Sequence, residues 1–555
     1  MSSRNPRVHR RTFLKGVGLG LGSVAVAGPA RAATLLQEGQ KLQLARVWAP
    51  TLAQQKLLSG FDDTHNAFDD GSIEILLWPG DLQRLRATGL RHEITVNDVV
   101  ARDRASRESA PPRPSSLPLQ PGERSEYRRL GDYPADLISL AQRFPDKVKL
   151  FELPHVSLEG RTILGIEIAT NVARRDGRPV FYMDGVHHAR EWPAAEMPIM
   201  WAYDLLESYG TDSRITTLMD TSRFIVVPVV NPDGFHHSRE SLVQVPTLGI
   251  APPGGLEGYW RKNRRSVTGV TIPVVQKNPD AYGIDPNRNY GYRWGGPGSN
   301  AQPIWQDSRG PAAFSEPEAE NVATVLRRYH ATAMITNHTT GNLILRAWGD
   351  TYDDPPDDEL LTMLGDACGA ITGYKSQKSI QLYITTGTCS DYAYGTYGSL
   401  GYTFEHSSPA MPSEFHPPYA STIPAMYAKV RPAFLLMAEA AANPAYHSVI
   451  TGRVLDGSGA PVPGAEIRLH KEMQTPLWPG NPMGVPSIPE VIDTSMQAGP
   501  DGRFEYHVNP STRPYLVFEE QTETYALTAV SPSAKRSLDV VVARGEVADL
   551  GDITV

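Results

Sequence analysis

Two cysteines in 555 residues are too few for a disulfide scaffold. Cys368 and Cys389 lie 21 positions apart in one segment, which leaves both one bridge and two free thiols open. Positive charge is not in excess. The 53 Lys and Arg stand against 61 Asp and Glu, a formal net charge of -8, so nothing draws the chain electrostatically to nucleic acid or an anionic membrane. No nucleic-acid partner is expected. No run beyond the N-terminus is long and apolar enough to span a bilayer, so no stable membrane anchor is expected either. Internal repeats are also lacking. With 40% apolar and 21% charged residues the chain has an ordinary globular composition, and its length suggests roughly three or four units.

The first 32 residues stand apart. "VHRRTFLKGVGLGLGSVAVAGPARAA" joins a basic start to a short Gly/Ala/Val run and a small-x-small site at Ala30-Arg31-Ala32. With Arg10 and Arg11 followed by Thr12-Phe13-Leu14-Lys15, it resembles a bacterial twin-arginine export signal. That resemblance implies export to the periplasm or beyond, and a mature protein starting near Ala33. Residues 33–100 read as a small α/β unit, with extended "KLQLARVWA", "GSIEILLW" and "RHEITV" around helical segments. Residues 101–125 are rich in Pro, Ser and Arg without apolar periodicity, and read as a solvated linker offering protease sites. From 126 to 445, helical segments alternate with very apolar strands such as "RPVFYMDGV", "SRFIVVPVV" and "LGYTFEH", the pattern of a sheet buried on both faces. From 446 to 555, short strands between Gly/Pro/Asp turns read as a β-sandwich, interrupted by a long loop, "QTPLWPGNPMGVPSIPE".

The chemistry centres on "DGVHHAREW", residues 184–192. His187 and His188 precede Glu191 by four and three positions, and either spacing presents an imidazole and a carboxylate to one metal. Catalytic zinc commonly takes three ligands from His, Glu and Asp and leaves a position for water. His338, ending the apolar run "ATAMITNH", supplies a distant third ligand. Spacing alone does not choose between the two adjacent histidines.

Five stretches of the middle segment, in order, resemble the zinc metallocarboxypeptidases of the carboxypeptidase A and B type: "HAREW", "NPDGF" with "YWRKNRR", "GIDPNRNY", the strand bearing His338, and "YTFE". The resemblance implies a mixed, eight-stranded-type α/β sheet sandwiched by helices, and one zinc ion on His188, Glu191 and His338. It leaves His187 without a ligand role. Glu405 is then the general base, and Arg261 meets the carbonyl oxygen as it becomes an oxyanion. Asn287 and Arg288 would hold the substrate's free carboxylate, for which a guanidinium fork is suited. Tyr383 resembles the tyrosine that closes over the bound C-terminus, Arg190 would line the cleft, and Asp285 would orient His188. Arg264 and Arg265 read as solvated surface charges. Ser390, just before Asp391, lies where the family sets side-chain preference; being uncharged, it suggests a neutral or broad preference.

The expected activity is zinc-dependent removal of C-terminal residues from peptides and proteins. Hydrolysis of cell-wall peptides or γ-glutamyl amides on the same scaffold, and an inactive peptidase-like surface binder, are the alternatives. By the same kind of resemblance, 33–100 looks like the family's pro-domain, with a permanent accessory domain as the alternative. The sandwich looks like a transthyretin-like domain, with folding support or cell-wall or surface attachment as its roles.

Overall fold

The computed structural model describes residues 41–68, 70–240, 256–266, 283–408, 413–510 and 522–555. The export-like segment lies outside them. Among the described residues no helix is long and apolar enough to cross a membrane.

The central sheet has eight strands. In sheet order these are β11 (Lys375–Lys378), β10 (Leu343–Arg346), β12 (Leu400–His406), β9 (Ala333–Thr339), β7 (Val180–Gly185), β8 (Arg223–Val227), β6 (Leu164–Ile168) and β5 (Val148–Glu152). β12, β9, β7 and β8 run parallel, whereas β6, β5 and β10 pair antiparallel with their inner neighbours. Every residue of β7, β8, β9 and β12 is buried. That is why these strands read as unbroken apolar runs: helices such as Trp192–Ser208 and Tyr419–Ala442 cover the sheet and leave no wet face to alternate toward.

The N-terminal unit is a four-stranded antiparallel sheet, ordered β2 (Asp62–Ala67), β3 (Ser72–Leu77), β1 (Gln43–Trp48) and β4 (His92–Val96). Helix Val99–Glu108 follows it, so the first part of the expected linker is helical. Asp98 caps this helix by accepting from the Ala101 amide at 3.0 Å. Its buried face, Val99 and Asp103, meets Tyr259 of the middle domain, whose hydroxyl donates to Asp103. Local periodicity does not show this helix because its partner is far away in sequence. Arg113 ties the following stretch together, donating to the Leu117 and Pro118 carbonyls at 2.7 Å each.

The C-terminal region packs three strands, β16 (Arg503–Val508), β13 (Ser448–Leu455) and β19 (Val547–Thr554), against four, β15 (Ser487–Gln497), β14 (Glu466–Pro476), β17 (Thr522–Val530) and β18 (Lys535–Ala543). The ends of the expected long loop are strand, because β14 and β15 pair in register from Glu466↔Gln497 to Pro476↔Ser487. The far end of this hairpin packs on the middle domain. Glu490 accepts from Tyr392 at 2.8 Å and from Arg327 at 3.0 Å, and Thr475 lies 3.1 Å from Thr396.

One close approach sets the site. At Gly185, the end of β7, an added Cβ would lie 2.1 Å from the Ala194 carbonyl oxygen of the returning helix. Gly185→Ala should therefore push strand end and helix apart and cost about 1–3 kcal/mol. A lowered apparent melting temperature together with reduced bound zinc checks this.

Candidate metal centre and cleft

Ligands of open α/β sheets gather at the C-terminal ends of parallel strands. Here β9 lies between β7 and β12, with Gly185 opposite Asn337 and Glu405 opposite His338. Side chains level with each other in parallel strands share a face, so the pairing puts Glu405 beside His338. After β7 the chain turns through Val186 at φ 59°, a left-handed conformation that costs a β-branched residue free energy and often marks a functional turn. Glu191 then occupies the cap position of helix Trp192–Ser208, where the helix dipole favours a carboxylate.

The turn separates the two histidines. His188 Nδ1 lies 2.8 Å from Glu191 Oε1, and His338 Nδ1 lies 2.9 Å from Glu191 Oε2. The two Nδ1 atoms are 3.2 Å apart, and all three residues are buried. Burial pushes the Glu191 carboxyl up, but His188 and His338 outweigh it and hold the carboxyl well below the usual range, as a metal ligand requires. Ligand atoms this close match one ion with bonds of about 2.0–2.2 Å, so the donor set fits zinc.

Asp285 organises the surroundings. Its Oδ1 lies 3.1 Å from His188 Nε2, and its Oδ2 accepts from Arg261 Nε and Nη2 at 3.1 and 3.0 Å. One carboxylate thus orients both an imidazole and a guanidinium. Arg261 Nη1 stays buried without a hydrogen-bond partner, a donor already stripped of water. Asp285 also accepts from the Asn287 amide at 2.8 Å, capping the short turn Pro286–Arg288. Arg288 donates through Nε to the Gly298 carbonyl at 3.0 Å, while Asn287 accepts from the Cys389 amide at 2.8 Å.

His187 points elsewhere. Its Nε2 lies 2.6 Å from the Tyr290 hydroxyl, and its Nδ1 lies 3.3 Å from Thr336 Oγ1 and 3.8 Å from Asp184. Burial and then the charges of His338 and His188 push its pKa well down, so it stays neutral within a buried group that includes Asp184 and Cys389. Cys368 and Cys389 are both free and buried.

Ser390 is buried and takes a hydrogen bond from Thr403 at 3.2 Å. Neighbouring Asp391 accepts from the Gly349 amide at 2.9 Å, and burial, then Asp350, pushes its carboxyl up to about 7. Arg264 and Arg265 are not solvated charges. Arg265 donates to Glu316 at 2.7 Å and to the Ser315 carbonyl at 2.6 Å, and Arg264 lies 5.4 Å over Trp260. The neutralising carboxylate of Arg265 lies 51 positions away, out of sight of a local reading.

Residues of β2, absent from the sequence reading, reach the same cleft. Arg190 is fully buried and pairs with Asp62, one of its two bonds measuring 2.7 Å, while its guanidinium stacks 4.3 Å over Phe415. His65 Nδ1 lies 3.3 Å from Glu405 Oε2, and the His65 ring stacks on Tyr383 at 6.1 Å between centroids. Burial pushes the His65 pKa down, but Glu405 and Asp63 outweigh it and raise it to about 9. The only local trace is the polar run "DDTHNA" between two phenylalanines, which carries no signal of a distant partner.

A model of the zinc carboxypeptidase family matches residues 134–430. A zinc carboxypeptidase of Saccharothrix mutabilis subsp. capreolus is 28% identical over 63% of this chain and 77% of its own length. Carboxypeptidase B of Astacus astacus is 28% identical over 51% of this chain and 86% of its own. Among solved structures, carboxypeptidase A of Helicoverpa armigera superposes with a TM-score of 0.59 at 22% identity, covering 73% of this chain and 98% of that one, a likeness of fold.

His188→Ala should abolish stoichiometric zinc, whereas His187→Gln should retain it. Asp285→Ala should weaken zinc affinity by about 10–100-fold through loss of the imidazole's orientation. Metal analysis after dialysis against buffered zinc reads all three.

Proposed function

Because the chain belongs to the zinc carboxypeptidase family, we propose that it is an exported exopeptidase that hydrolyses the C-terminal peptide bond of peptides and proteins. The observation that carries this reading is the placement of Glu405, level with His338 on the neighbouring strand and beside the His188–Glu191–His338 cluster. Held by His188, Glu191 and His338, zinc would supply an acidified water, since it can lower the pKa of a bound water to about 7. Glu405 takes the proton of the attacking water and delivers it to the departing amine. Arg261, held by Asp285, turns its unpartnered Nη1 to the carbonyl oxygen as negative charge grows on it.

Exopeptidase selectivity then falls to Asn287, Arg288 and Tyr383. Arg288 reads the free carboxylate, and Tyr383 closes over the terminal residue and keeps water out. Arg190 binds the peptide further from the cut, and uncharged Ser390 at the pocket favours neutral or varied terminal side chains. The twin-arginine-like start supports export. The sandwich acts as folding support: Glu490 of its hairpin bonds Tyr392 and Tyr397 on the helix that begins with Cys389 and Ser390.

Zinc-loaded protein should release C-terminal residues from N-blocked dipeptides, and a chelator should stop it. Glu405→Gln should lower kcat by about 10² to 10⁴ with zinc retained. Arg288→Ala should instead act mainly on KM for substrates with a free carboxylate and leave amidated ones indifferent. Cleavage of C-terminally amidated peptides as fast as free acids would sink the exopeptidase assignment.

A further inference from the structure

The loop that follows Arg288 is held from two sides. One side faces the cleft: Arg288 Nε donates to the Gly298 carbonyl at 3.0 Å, and Arg288, Pro297, Gly298, Ser299, Tyr383 and Ile384 line one cavity. Thr386 Oγ1 donates to the Pro297 carbonyl at 2.9 Å, and Gly298, at φ 76°, has no room for a Cβ against the Ile384 carbonyl. The position of Gly298 therefore sets where the Arg288 guanidinium rests and where the segment carrying Tyr383 runs.

The other side meets the tip of the β14–β15 hairpin. The Arg293 amide donates to the Pro476 carbonyl at 2.7 Å, and the Trp478 amide donates to the Trp294 carbonyl at 3.0 Å, a short ladder between loop and tip. At Gly296 an added Cβ would lie 2.7 Å from Trp478 Cε3 and 2.7 Å from Thr386 Cγ2. The indole of Trp478 and the methyl group of Thr386 thus both close on the bare face of this glycine, and Thr386 is three positions from Tyr383. Arg293 adds a charged link, its guanidinium 5.8 Å from the centre of the Trp478 ring and its Nε 3.3 Å from Asp350 Oδ2. The tip is itself braced: Asn481 Nδ2 donates to the Trp478 and Val485 carbonyls at 2.8 and 2.7 Å, and its Oδ1 accepts from the Met483 amide at 3.0 Å. A loop tied to itself in this way is a rigid prop for its neighbour.

We propose that this tip is the outer support of the terminal-residue site, with Trp478 as a positioning residue that holds Pro297–Ser299 against Arg288 and the Tyr383 segment. The sandwich then governs substrate capture in addition to folding. The proposal rests on the exopeptidase reading for what Arg288 and Tyr383 bind, but the propping of the loop does not. Removing the indole leaves a void beside Gly296 into which the loop relaxes, and a misplacement of about 1 Å in a substrate-holding group can cost about 10²-fold.

The test uses the full chain loaded with zinc. Trp478→Ala should raise KM for N-blocked dipeptides at least about 10-fold while lowering kcat less than about 3-fold, with bound zinc unchanged. Trp478→Phe restores a ring beside Gly296 and should recover most of the loss. Lost stability alone would not split KM from kcat in this way. Hydrogen–deuterium exchange reads the same support without turnover: peptides covering 293–299 and 383–387 should exchange faster in Trp478→Ala, and one covering His338 should not. Unchanged exchange at both segments overturns the proposal, as does a KM unchanged by Trp478→Ala but raised by Arg288→Ala. A KM unchanged by both variants, or no hydrolysis by any form, together with faster exchange, upholds the propping and overturns the exopeptidase reading of Arg288 instead. If Trp478→Ala does not fold, Asn481→Ala, which removes the brace and leaves the indole, is judged by the same two readouts.

Discussion

The register of three parallel strands underlies everything else. With β9 fixed between β7 and β12, Glu405 must lie beside His338, and the turn leaving β7 must place Glu191 against His338. A slip of one residue would send His338 or Glu405 to the opposite face of the sheet. The burial of every side chain in these strands guards the register, since a slip would also misplace Met334, Ile335, Tyr402 and Phe404 from the core.

Around that frame the charges are arranged in pairs that desolvation makes obligatory. Asp285 serves His188 and Arg261, and Asp62 serves Arg190. Buried pairs of this kind add little net stability but penalise loss of either partner. Their value is positional: each fixes a side chain that would otherwise sample several rotamers in the cleft. The pair between Arg190 and Asp62 differs because its two halves belong to different units, so separating the units would leave a buried guanidinium without its carboxylate.

The buried strands were legible because parallel strands covered on both faces carry long apolar runs. The candidate metal-binding pair His188 and Glu191 stood out because its residues sit close together, and the fold agrees with the family resemblance that its motifs carry. β2 was not legible. "DDTHNA" has no apolar face: Asp62 meets Arg190 and His65 meets Glu405, both far away in sequence, while Thr64 and Asn66 bond Glu74 of the neighbouring strand. Helix Val99–Glu108 and the tip of the β14–β15 hairpin escaped for the same reason, as both dock on the middle domain.

By itself, the sequence determined which residue types were available for a metal site and a cleft, and that a buried mixed sheet would form, because these are properties of short stretches. Tertiary structure decided which way each adjacent histidine points, since the left-handed turn at Val186 sends His188 to Glu191 and His187 to Tyr290. It also decided what covers the cleft, through partners as distant as Asp62 and Arg190, 128 positions apart. Contacts at that separation leave no period or spacing in the chain, because only folding brings the two charges together.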